Sequence, residues 1–253
     1  MHKGWALLLA GCGRIAFDDL GASSDASDAS LPEPTQGLIA SWHFDEGTGT
    51  SAADVSGNGH DATLFSGATW GPGKRGTALA LDGVAAFAAA TQSSLFDRAM
   101  QPWTIAAWVW DDTPASTLGT NAWHRFVAWI DPSGFSHTIG LATTSTFTSR
   151  VFFGALRTSS TPILSASQDD TSLGWHHVVA TYDGTTPLLY VDGVATGGGT
   201  LSNGVSPGLD TMKVYIGTLG DGTRFVAGFI DEVRIYKRVL DPSEVTQLYD
   251  ATR

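Results

Sequence analysis

The stretch Phe229 to Tyr236, F-I-D-E-V-R-I-Y, constrains the fold more than any other part of the chain. Phe229 and Ile230 precede two carboxylates, Asp231 and Glu232. Val233, Ile235 and Tyr236 follow them, which is the pattern of a buried strand. A charged pair inside such a strand costs free energy unless a bound cation, a basic partner or water neutralises it. Successive strand residues face opposite sides of a sheet, so the spacing predicts that Asp231 and Glu232 diverge. Glu232 is then expected to face solvent or a basic neighbour such as Arg234.

The rest of the folded chain has the same texture. Apolar runs of strand length recur, among them Leu38 to Phe44, Trp103 to Trp110, Trp175 to Tyr182 and Leu188 to Val191. Turn signals separate them: Gly57-Asn58-Gly59, Asp82-Gly83, Asp183-Gly184 and Asp192-Gly193. Asp82-Gly83 reads as a hairpin turn between Ala78–Leu81 and Ala85–Ala89. Trp103 to Trp110 is almost wholly apolar, as a strand buried on both faces would be. Helical periodicity is confined to the end, where Asp241 caps, Pro242 starts, Glu244 completes a capping box, and Val245, Leu248 and Tyr249 share a face. Many antiparallel strands with one short C-terminal helix predict an all-β sandwich. A net charge of −11 argues against nucleic acid, which needs clustered Lys and Arg.

The N-terminus reads differently. Met1-His2-Lys3 is a short basic start, and Trp5 to Ala10 is apolar. Leu9-Ala10-Gly11-Cys12 resembles the lipobox of bacterial lipoproteins, which implies cleavage before Cys12 and lipidation of its thiol. Cys12 is the single cysteine, so no intramolecular disulfide competes for it. Residues 1–12 are therefore expected to be a signal peptide, and 13–36, with Ser23 to Ser30 small and acidic, a disordered tether. The expected address is the bacterial cell envelope. Gly13 after the cysteine suggests the outer membrane or cell surface. Residues 37–253 form one domain.

Four ordered segments carry a family resemblance: G-L-I-A-S-W-H-F-D-E-G-T-G-T with D-V-S-G-N-G-H-D-A-T-L; G-T-A-L-A-L-D-G-V; W-H-H-V-V-A-T-Y-D-G with L-L-Y-V-D-G-V; and F-I-D-E-V-R-I-Y-K-R-V-L-D-P-S-E-V. Together they resemble the laminin-G-like jelly rolls of the concanavalin A-like lectin/glucanase superfamily. The resemblance implies a two-sheet antiparallel jelly-roll sandwich whose N- and C-terminal strands pair, placing Asp231 near the first strand. The sequence departs from the family at Val84-Ala85-Ala86-Phe87, where acidic or polar residues are common.

Oxygen donors suited to a structural Ca²⁺ are Asp45, Asp54, Asn58 and Asp231, with a carbonyl at Gly57 or His60 turned inward by the glycine-rich loop. Relatives commonly hold Ca²⁺ where this loop meets the terminal strands. Zinc is disfavoured, since His176 and His177 are adjacent and diverge on a strand, and no helical H-E-x-x-H is present. Retaining glycosidases need two carboxylates about 5–5.5 Å apart. The four glutamates, Glu33, Glu46, Glu232 and Glu244, lack the E-x-D-x-x-E spacing of laminarinase-type relatives. The expected function is binding rather than catalysis, with a carbohydrate or a cell-surface or matrix protein as partner. The candidate ligand residues are Trp123, His124, Arg125 and Asp131, with Trp70, Asn121, Phe135 and His137 as further candidates. The alternatives are an adhesive module without a small ligand and a divergent glycosidase.

Overall fold

The computed structural model describes residues 32–90, 93, 96, 102–112, 123–130, 136–142, 150–158, 161–170, 174–198, 213–220 and 222–253. At 136–137, 141–142, 150–151, 153–158, 161–170 and 197–198 it describes the backbone alone. Cys12, Asn121, Asp131 and Phe135 lie outside the described residues.

Alternating burial along the strands builds two antiparallel sheets. Sheet A runs, in spatial order, β14 (Val194–Gly198), β13 (Pro187–Val191), β12 (His176–Tyr182), β7 (Trp103–Asp111), β16 (Ala227–Tyr236), β5 (Thr77–Asp82) and β4 (Thr69–Pro72). β1 (Leu38–Trp42) also pairs with β16. Sheet B runs β11 (Thr161–Asp170), β10 (Arg150–Thr158), β9 (Ser136–Ala142), β8 (Trp123–Ile130), β15 (Lys213–Ile216), β6 (Phe87–Ala90), β3 (Ala62–Phe65) and β2 (Ser51–Ala52). The predicted two-sheet sandwich therefore forms, with its first and last strands paired.

Trp42, Phe44, Trp103, Ile105, Phe126 and Trp129 fill the space between the sheets. A second apolar cluster lies on the other side of sheet A. There Ala106, Val179, Tyr190 and Tyr236 meet Leu240, Val245 and Leu248 of α1 (Pro242–Thr252) and the turn before it. Strand β7 is thus apolar on both faces because one faces the core and the other the helix. The helix starts as expected: the Asp241 carboxylate accepts the Ser243 and Glu244 amides, and Glu244 accepts the Asp241 amide in return.

Two expectations are corrected. Asp82-Gly83 does not close a hairpin, because β5 lies in sheet A and β6 in sheet B. The chain crosses between layers there, and Asp82 Oδ1 accepts the amides of Val84, Ala85 and Ala86 to shape the crossing. The tether assignment to residue 36 is also too long, since the compact unit spans Leu31–Arg253. Pro32 accepts a hydrogen bond from Gln247, Glu33 pairs with Arg234, Pro34 accepts from the Tyr236 hydroxyl, and Gln36 accepts from Arg238. Residues 32–36 are docked on the last strand and helix.

Candidate functional site

Strand β16 changes partner in its middle. Ala227–Ile230 pair with β5, and Val233–Tyr236 pair with β1, both along the same edge. Asp231 and Glu232 sit at this changeover, where the register with β7 also shifts. Glu232 adopts φ +52°, so the strand alternation that separates two adjacent carboxylates is broken and both are buried. The exit of β1, at His43 to Asp45, and the entry to β5, at Arg75 to Thr77, converge on the same gap.

The two carboxylates find different partners there. Glu232 Oε2 lies 2.6 Å from Arg234 Nη2, which also reaches Glu33 Oε2 at 2.6 Å. Asp231 accepts the Arg75 amide at 3.0 Å and the Glu232 amide at 2.8 Å. Burial pushes the Asp231 carboxyl up to about 7, and the charges of Glu232 and Asp45 add to this against the two amides. Asp45 accepts the Thr77 amide at 2.9 Å. It lies so close to the turn that a Cβ at Gly76 would stand 2.0 Å from its Oδ1, which explains the glycine at φ +52°. His43, Asp45 and Glu232 bring one ligand atom each within 4.8 Å of one another. Arg234 Nη2 lies 3.5 Å from His43 Nε2, so a guanidinium already serves that corner.

The other expected metal residues gather on β1. Asp54 accepts the amides of Ser41, Ser56 and His60 at 2.9–3.0 Å. Burial opposes its ionisation, but the Ser56 hydroxyl and these N–H groups hold its carboxyl below the ordinary value. Asn58 Nδ2 donates to the Leu38 and Ile39 carbonyls, and His60 Nδ1 lies 2.9 Å from the Ile39 carbonyl. The Trp42 indole donates to the His60 carbonyl from inside the core. Asp54, Asn58 and His60 therefore tie the 53–61 loop to the first strand. Among the described residues, no hydrogen bond joins them to Asp45 or Asp231.

Trp123, His124 and Arg125 open β8. His124 Nδ1 lies 2.7 Å from Asp111 Oδ2, and the Arg125 guanidinium lies 5.6 Å from the Trp123 ring centre. Arg125 is buried, whereas Trp123 and His124 are half-buried. Trp70 packs against the core and donates to the Gly49 carbonyl.

Sequence reading missed an aromatic face. In sheet B, Leu64, Ala88 and Val214 point into the core. By alternation Phe65, Phe87 and Tyr215 point outward. Phe65 is 43 % exposed, and its ring stacks on Phe87 at 4.9 Å. Tyr215 and Phe225 lie 6.2 and 6.5 Å from Phe87. The Tyr215 ring is held by the following loop, where a Cβ at Gly220 would come within 2.6 Å of it. The signal in the sequence was the apolar residue on the polar beat of A-T-L-F.

A family model described as the Concanavalin A-like lectin/glucanases superfamily matches residues 82–246. Among solved structures, domain 4 of AbnA, a GH43 extracellular arabinanase from Geobacillus stearothermophilus, in complex with arabinotriose, is 23 % identical with a TM-score of 0.61. That match covers 83 % of this chain and 97 % of the other. Botulinum neurotoxin type C, whose cell entry depends on interaction with two ganglioside molecules, is 14 % identical with a TM-score of 0.63, over 87 % of this chain and 52 % of the other. Trypanosoma rangeli sialidase in complex with 2,3-difluorosialic acid is 22 % identical with a TM-score of 0.60, over 85 % of this chain and 33 % of the other. At these identities the likeness establishes the fold. No curated protein matches significantly.

Proposed function

The chain belongs to the concanavalin A-like lectin/glucanase superfamily, and from that membership we propose that it is an exported, lipid-anchored module that recognises a glycan and whose fold Ca²⁺ stabilises. The observation that carries the glycan reading is the outward aromatic face of sheet B, with Phe65 open and stacked on Phe87. A sugar ring presents apolar C–H faces, which match such a platform, while most aromatics of a sandwich are spent in the core. The near-complete overlap with an arabinanase domain solved with arabinotriose supports this reading. Binding without catalysis is favoured because Glu232 is committed to Arg234, and Asp231 to two amides. The fold itself serves binding domains and hydrolases alike. A glycan array probed with the full chain tests the proposal. Selective binding to a subset of glycans is expected, and an array without signal would leave an adhesive role instead.

For Ca²⁺, Asp231 and Asp45 offer the best-matched oxygens, with backbone carbonyls of the adjoining turns to complete a shell. Asp231 is fully buried, and the hydrogen bonds that reach its carboxylate come from amides. A divalent cation would neutralise what those amides leave uncompensated. Chelation by EDTA at pH 7.5 is expected to lower the melting temperature, with Ca²⁺ restoring it. An unchanged transition would remove Ca²⁺ from the proposal. Anchoring by Cys12 predicts that Cys12→Ser leaves the envelope membrane fraction, as followed by fractionation and blotting.

A further inference from the structure

We infer that the aromatic face of sheet B takes an acidic glycan, one whose sugar rings bear carboxylates; this rests on the glycan-binding reading above. The aromatic platform alone suits neutral and acidic sugars equally. The cations beside it break that tie. Lys213 and Tyr215 alternate on β15, so both project from the outer face, roughly 7 Å apart. Arg224 directly precedes Phe225, whose ring closes the cluster on Phe87.

Several of the other described cations are engaged. Arg75, Arg234, Arg238 and Arg253 are paired with carboxylates, and the Lys74 ammonium lies over the Trp108 ring. Lys213 is exposed, and among the described residues it has no carboxylate partner. Arg224 is half-buried, and its Nε is buried without a hydrogen-bond partner among those residues. In a chain of net charge −11, unpaired positive charge beside an aromatic platform is a local reversal of sign. The acidic residue that leads into β6, Asp82, turns its Oδ1 into its own loop, onto the amides of Val84, Ala85 and Ala86.

A uronic or sialic acid carries its carboxylate at the rim of the ring. With one sugar ring stacked on Phe65 and Phe87, a neighbouring ring that extends toward Tyr215 brings its carboxylate toward Lys213, and the half-buried Arg224, next to Phe225 in sequence, adds a guanidinium whose planar fork suits a carboxylate. Long-range attraction from these cations would also make binding fall with salt.

The test is calorimetric titration of the full chain with tri-galacturonate and 3′-sialyllactose, and with arabinotriose and laminarin oligosaccharides as neutral probes. Variants are Phe65→Ser and the pair Lys213→Ala with Arg224→Gln, each confirmed folded by its melting transition. An acidic probe is expected to bind, to weaken about ten-fold or more with either variant, and to weaken as salt rises. Binding restricted to neutral probes, or indifferent to the Lys213/Arg224 variant, overturns the acidic assignment. Glycan binding that survives Phe65→Ser overturns the face while leaving the glycan-binding function intact. Absence of binding to every probe and on the array overturns both.

Discussion

Replacing Arg234 by methionine is expected to destabilise the domain by about 3–5 kcal/mol, the usual cost of breaking a buried ion pair from one side. At this size that corresponds to a fall in melting temperature of about 10 °C. Arg234 is 1 % exposed and lies between Glu232, itself 2 % exposed, and Glu33. Its Nη1 also donates to the Glu232 carbonyl at 3.0 Å, at the bulge where β16 changes partner. Burial opposes the guanidinium charge, but Glu232 and Glu33 beside it hold its pKa above the ordinary arginine range. Methionine keeps the bulk and removes the charge, which leaves the Glu232 carboxyl enclosed without its partner. The control is Arg234→Met combined with Glu232→Leu. If the loss comes from the stranded carboxylate, the double variant recovers most of the stability in a chemical denaturation series. If it comes from packing, the two losses add. Glu33→Gln should cost less, because Glu33 is partly exposed and reaches the pair from the chain's docked N-terminal segment.

The second large effect is in acid. His177 is fully buried on the helix side of sheet A, its ring 5.2 Å from Trp108 and 6.0 Å from Tyr249. Neither ring nitrogen has a hydrogen-bond partner among the described residues. Burial first and the Arg234 charge second bring its pKa from 6.5 down to about 3, with Asp192 partly offsetting them. The folded pKa is depressed for a base. The unfolded chain therefore takes up a proton below pH 6.5 that the folded state refuses until about pH 3. Stability is fully present above pH 6.5 and is lost as pH falls through that window. At roughly 1.4 kcal/mol per unit, the loss approaches ~5 kcal/mol. Asp231 works in the opposite direction: with its carboxyl raised to about 7, its contribution to stability is fully present below pH 3.8 and is lost as pH rises from there through about 7. His177→Phe isolates the first contribution. Denaturant midpoints between pH 4 and 6.5 should stay nearly level in the wild type, where the two contributions oppose each other, and should rise with acid in the variant, which keeps only the Asp231 contribution. Equal slopes would show that His177 is not the acid-sensitive group.

Much of the fold is legible in local signals along the chain. Asp183-Gly184 and Asp192-Gly193 do connect paired strands, β12 with β13 and β13 with β14. The capping box of α1 and the two-sided burial of β7 are encoded in adjacent residues. Asp82-Gly83 misleads because a two-residue turn signal does not say whether the next strand stays in its layer. The divergence expected of Asp231 and Glu232 assumes an unbroken pleat, whereas the bulge at Glu232 arises from β16 meeting two partners far apart in sequence. The aromatic face is hidden for the same reason. Phe65, Phe87, Tyr215 and Phe225 come from separate stretches, and only the order β15, β6, β3 gathers them. By contrast, Trp123, His124 and Arg125 look like a site because they are contiguous. In the fold His124 is taken up by Asp111, and Arg125 is enclosed.

The measurement that bears most directly on a glycan-binding sheet B is a nuclear magnetic resonance titration of the full chain with the oligosaccharide that binds best on the array. The ring signals of Phe65, Phe87, Tyr215 and Phe225 are expected to shift together and saturably. Shifts confined to Trp123 and His124, or to the clasp around Asp231, would contradict the assignment of the aromatic face as the binding site.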